Sequence, residues 1–120
     1  MLLLGATIVV LLAAAVAWAG WLAPRQTLRL EARTIAADAY GFAPAELTAP
    51  ADTPVRLTFF NGTDAPHALV LLGPIDRHGQ ILYPDQADSL EFTTPAAGSY
   101  RFVCNVHENM SGALVIVEGE

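Results

Sequence analysis

The seven residues CNVHENM (104–110) place a thiol, an imidazole and a thioether at regular three-residue intervals, as Cys104, His107 and Met110. Taken singly, each has an ordinary explanation. A lone cysteine is usually a small buried hydrophobe, a methionine usually fills a gap in the core, and a loop histidine usually faces water. Taken together, the C-x-x-H-x-x-M spacing lets one tight loop aim three metal-binding side chains at a single point. Cys104 is the only cysteine in the chain, so an intrachain disulfide and any four-cysteine zinc or iron–sulfur site are excluded. Soft thiolate and thioether with borderline imidazole suit copper. A mononuclear electron-transfer copper site takes two histidines and one cysteine in a trigonal plane, with a weak axial methionine. The loop lacks only one histidine of that set.

Two histidines remain to supply it. His67 opens the apolar run HALVLL (67–72) just after a turn, where a strand end can face a loop of the opposite sheet. His78 lies in the polar stretch DRHG and is expected to face solvent. The expected ligand set is therefore His67, Cys104, His107 and Met110. With four positions filled there is no open coordination site for catalysis. No nucleophile constellation competes, since Ser99 and Ser111 lack a base and orienting partner, and Cys104 lacks an oxyanion-type glycine loop. The reading is a protein that moves electrons, with no enzyme activity and no small-molecule substrate.

The elements that must position these residues read as strands. TLRLEARTI (27–35) and VRLTFFN (55–61) alternate apolar and polar residues, as half-buried strands do. YGFAPAELTAP (40–50), with one glycine and two prolines, reads as an irregular edge strand. HALVLL, SLEFTT (89–94), SYRFVC (99–104) and GALVIVE (112–118) complete the set, separated by Gly/Pro turns such as NGTDAP and PAAG. No helix is evident after residue 24. The predicted fold is all-β, an antiparallel Greek-key β-sandwich spanning residues 25–120.

Residues 1–24 have a different composition, with no charged side chain. From Leu2 to Leu22 the segment is long enough to cross a bilayer as a helix, which takes about 20 residues. Trp18 and Trp21 fall where an interfacial aromatic belt would sit, and Pro24 is a natural stop. A cleaved signal peptide is the competing reading, but the positive n-region is missing, so a transmembrane anchor is expected. Arg25, Arg29 and Arg33 would by the positive-inside rule hold the domain in the cytoplasm, whereas the copper reading expects it on the periplasmic or extracellular side. The net charge of −6, with no lysine and six scattered arginines, argues against nucleic-acid binding, which needs a basic face.

From AYGFAPAELTAP through FFNGTDAPHALVL to GSYRFVCNVHENMSGALVIV, residues 30–118 resemble the cupredoxin (blue-copper) family. The short ligand loop is similar to that of amicyanin-like members. The resemblance implies one copper ion cycling between Cu(I) and Cu(II), with His67, Cys104 and His107 as strong equatorial ligands and Met110 as the weak axial one. It also implies that the loop histidine lies in an apolar surface patch serving as the electron port. Ala68, after the first ligand histidine, and Asn105, after the cysteine, depart from common family choices. An anchor followed by such a sandwich also resembles the single-anchor subunit II of heme–copper oxidases, but Cys104 alone cannot supply the two bridging thiolates of a binuclear centre. The expected partner is a membrane-bound redox protein or a respiratory or photosynthetic complex. The alternative is an accessory subunit of such a complex with a degenerate metal site. Copper delivery is a weaker fit, because delivery proteins usually offer more than one Cys or Met.

Overall fold

The computed structural model describes residues 26–107 and 109–119. The expected anchor, residues 1–24, lies outside them. Among the described residues there is no helix, and so none long and apolar enough to cross a membrane. The strands are β1 (Gln26–Ala36), β2 (Ala39–Ala43), β3 (Glu46–Pro50), β4 (Pro54–Asn61), β5 (Leu69–Leu71), β6 (Arg77–His78), β7 (Ala87–Thr93), β8 (Gly98–Cys104) and β9 (Ser111–Val117). They form a four-stranded sheet, β2-β1-β4-β7, and a five-stranded sheet, β3-β9-β8-β5-β6.

Alternation in the sequence becomes burial here. Leu28, Leu30 and Ala32 of β1 and Val55, Leu57 and Phe59 of β4 point inward, with charged and polar neighbours pointing out. The opposing sheet contributes Leu69, Leu71, Phe102, Leu114 and Ile116 to the same core. Phe42 bridges the sheets, its ring centroid 5.0 Å from that of Phe102 at near right angles and 5.7 Å from that of Phe59. Edge-to-face packing of this kind adds about 0.5–1.5 kcal/mol per pair beyond area burial.

Both sheets are mixed rather than antiparallel. β1 runs parallel to β4, and β3 parallel to β9. The cause lies in residues 40–50, which make two strands in different sheets instead of one irregular edge strand. β2 pairs back on β1; the chain then leaves that sheet at Pro44–Ala45, and β3 joins the edge of the other sheet beside β9. Pro44 has no N–H to continue a ladder. Because β3 intervenes in the opposite layer, β4 returns beside β1 in the same direction, as a crossover connection allows. The DRHG stretch also differs from expectation, since Arg77–His78 forms a short edge strand against β5.

Gly112 sits where the sandwich leaves no room for a side chain. A Cβ at this position would collide with the Phe102 ring and lie 2.7 Å from the Ala45 carbonyl oxygen. Both obstacles are rigid, one a fully buried ring and the other backbone. Gly112→Ala is expected to lower stability by about 1–3 kcal/mol, the usual cost of overpacking. Urea unfolding measures it, and an unchanged midpoint would show that this contact does not constrain the sandwich.

Candidate metal centre

Cys104 ends β8 and His67 stands two residues before β5, its neighbour in the same sheet. Leu69 lies directly across from Cys104, and the Asn105 N–H donates to the Ala68 carbonyl at 3.0 Å. His67 therefore reaches the cysteine from within the five-stranded sheet and not from the opposite one. Its own backbone is held on both sides by Leu82, with the His67 N–H donating at 3.0 Å and its carbonyl accepting at 2.7 Å.

This places the His67 Nδ1 3.7 Å from the Cys104 Sγ, between residues 37 positions apart in sequence. Both side chains are buried, as is Met110. The ligand loop closes tightly on itself: the Cys104 N–H donates to the Met110 carbonyl at 3.1 Å, and the Met110 N–H to the His107 carbonyl at 3.2 Å. The Val106 N–H donates to the Cys104 Sγ at 3.4 Å.

His107 lies beside this pair, its ring centroid 4.6 Å from that of His67. Its Nε2 is 3.0 Å from the Pro66 carbonyl. A carbonyl oxygen only accepts, so Nε2 carries the proton and Nδ1 keeps the lone pair in the neutral ring. With the ring held there, no three His, Cys, Asp or Glu side chains among the described residues already surround one point closely enough to hold a metal. His78 is elsewhere, exposed on β6 and 3.2 Å from the Asp76 carboxylate.

Three neighbours of the site carry no signal at the level of sequence motifs. Tyr40, from β2, packs its ring against both histidines, with centroids 5.0 Å from His67 and 4.9 Å from His107. Its hydroxyl donates to Asp64 at 3.2 Å. Partial burial, then the Asp64 carboxylate, hold the Tyr40 phenol above its ordinary value. Asn61 and Thr63 sit behind His67, the Thr63 Oγ1 2.7 Å from the His67 Nε2. The NGTDAP stretch marks a turn in the sequence, but which ring it would meet depends on the sandwich closing.

The comparison with known proteins agrees with this arrangement. A family model for the cupredoxin-like domain matches residues 10–116. The chain belongs to the cupredoxin-like family. Its members are electron-transfer proteins, not enzymes. Among solved structures, auracyanin B is 25% identical, with a TM-score of 0.68 over 79% of this chain and 91% of that one. Auracyanin A, a "blue" copper protein from the green thermophilic photosynthetic bacterium Chloroflexus aurantiacus, is similar in fold at 20% identity, with a TM-score of 0.61 over 76% and 98%. An oxidised amicyanin variant is likewise similar in fold at 22% identity and a TM-score of 0.58, covering 76% and 82%. No curated protein matches the sequence. The sandwich is thus a cupredoxin fold, in which the buried His67 and Cys104 side chains come together near Met110.

Burial, and then the nearby His107, hold His67 below its ordinary value. The neutral ring is the form with a lone pair to offer. For a histidine lowered on folding, the unfolded chain takes up its proton first as pH falls, so stability is present above about 6.5 and drains away below it. In the metal-free protein, unfolding free energy is expected to drop between pH 7.5 and 5.5 more steeply than in His67→Gln. Equal slopes in denaturant titrations would show that His67 is not held neutral by the fold.

Proposed function

We propose that this chain is a membrane-anchored, mononuclear type 1 copper protein that carries electrons to or from a membrane redox complex by outer-sphere transfer. His67, Cys104 and His107 would be the strong ligands and Met110 the weak axial one. When bound, copper would supply one-electron cycling between Cu(II) and Cu(I).

The observation that carries this reading is the buried His67 Nδ1 to Cys104 Sγ separation of 3.7 Å. Metal bonds of about 2.0 Å to imidazole and about 2.3 Å to thiolate, as zinc makes them, meeting near 120° would put nitrogen and sulfur about 3.7 Å apart. The pair is thus spaced for one metal between them, with no second thiolate for a binuclear centre. Donor chemistry supports the rest of the set, because the Pro66 carbonyl leaves the lone pair of His107 on Nδ1 and Met110 is a buried, uncharged thioether.

The chain's own residues also support outer-sphere transfer. Cys104, Met110 and His67 are buried, while His107 is only half-buried and borders a shallow hollow of about 410 Å³ lined in part by Ile35, Tyr40 and Val106. Ile35 is 71% exposed and Val106 42%, so apolar side chains stand beside the half-buried His107, among polar ones from Asp38 and Asn109. The exposed Ile35 and Val106 are contact area that a partner can cover. The uncharged segment before Pro24 supports a membrane tether that holds the domain near its partner, on the periplasmic or extracellular side.

The alternative is an accessory subunit whose metal site is degenerate. The turn of His107 onto Pro66, which leaves the three strong donors ungathered, favours it. Adding Cu(II) to the full chain purified in detergent separates the two readings. Expected is an intense visible thiolate-to-copper band at about one copper per chain, abolished by Cys104→Ala. A colourless protein with no stoichiometric copper would contradict the carrier and leave the accessory subunit.

A further inference from the structure

Behind His67 stands a hydrogen-bond chain whose donors and acceptors follow from the chemistry of its members. Both amide hydrogens of Asn61 are used, its Nδ2 lying 2.7 Å from the Ala65 carbonyl and 2.9 Å from the Leu82 carbonyl. Each of those oxygens only accepts, so the orientation of the Asn61 amide is determined and its Oδ1 is the acceptor. Oδ1 then receives the Thr63 N–H at 3.0 Å and lies 2.8 Å from the Thr63 Oγ1.

The Thr63 hydroxyl has one hydrogen and stands close to four other groups, one of which, the Ala65 N–H, can only donate to it, at 3.2 Å. Asn61 Oδ1 at 2.8 Å and the Ala65 carbonyl at 3.1 Å can only accept from it; the His67 Nε2 at 2.7 Å can do either. Were the hydroxyl to donate to Nε2, its oxygen would face two acceptor oxygens with no hydrogen between them, in a buried setting where such contacts are costly. Donation to Asn61 leaves only the longer contact with the Ala65 carbonyl without a hydrogen, and keeps the Thr63 oxygen as acceptor for the His67 Nε2–H. Asn61, Thr63 and His67 are all buried, so no solvent competes for these bonds.

We infer that Thr63, oriented by Asn61, is a positioning residue that fixes His67 as the Nε2–H tautomer and so keeps the Nδ1 lone pair facing Cys104. Without that acceptor, the ring would be free to carry its proton on Nδ1, where the Cys104 sulfur is the nearest partner. The proton would then occupy the position a metal needs. Hydrogen bonding to the outer nitrogen of a ligating histidine sets which nitrogen is free and typically changes metal affinity about 10–100-fold. The inference rests on the copper reading for its consequence, but the tautomer is a property of the metal-free chain.

The test is ring-nitrogen NMR of the metal-free, ¹⁵N-histidine-labelled full chain, followed by Cu(II) titration of the same samples. In the wild type, His67 should show a protonated Nε2 and an unprotonated Nδ1. Thr63→Val, which keeps the shape and removes the acceptor, should populate the Nδ1–H form and weaken copper binding about 10–100-fold. Thr63→Ser should restore the wild-type pattern in both. An Nδ1–H tautomer in the wild type overturns the inference without reference to any variant. So does an unchanged His67 pattern in folded Thr63→Val, whatever its affinity. Should no sample bind copper, the carrier function fails, while the ring-nitrogen pattern still decides the role of Thr63.

Discussion

The pairing of Leu69 with Cys104 across β5 and β8 is the contact on which the site depends. It aligns two stretches far apart in sequence so that His67, just ahead of one strand, meets a sulfur at the end of the other. β5 is only three residues long, and all three are buried. A strand so short has little freedom to slip, because a one-residue shift would turn its inward side chains to the other face. The Leu82 bridge to both backbone groups of His67 and the Asn105–Ala68 bond lock the same register from either side.

Around that register the site is assembled from parts with different mobility requirements. The His67 side is rigid: its backbone is paired with Leu82, its outer nitrogen meets Thr63, and Asn61 ties the turn to Leu82 and Ala65. The His107 side is a tight loop, its ring gripped by Tyr40 and the Pro66 carbonyl and partly open to solvent. Fixed dipoles and packed rings hold His67 against Cys104 and keep His107 beside them, with one edge open to solvent.

Much of this was legible in the chain, for physical reasons. Alternation in β1 and β4 follows from a two-residue side-chain period, and a half-buried strand can hardly hide it. The C-x-x-H-x-x-M loop is readable because three of the proposed ligands are local. His67 stood out over His78 because an apolar strand follows it. What could not be read depended on long-range closure. The jump between sheets at Pro44 made two strands of residues 40–50 and turned two strand pairs parallel. Whether His67 shared a sheet with Cys104 depended on the order of strands, which spacing alone does not encode. Tyr40, Asn61 and Thr63 are of ordinary types in ordinary turn and strand contexts, and only the folded sandwich brings them to the histidines.

The central claim is that this single cysteine and two histidines close around one copper. X-ray absorption at the copper edge of the loaded full chain examines it most directly. Expected is a single copper with one short thiolate sulfur and two imidazole nitrogens, and with no second metal in its neighbourhood. Copper bound only by nitrogen and oxygen, with no short sulfur contact, would contradict it.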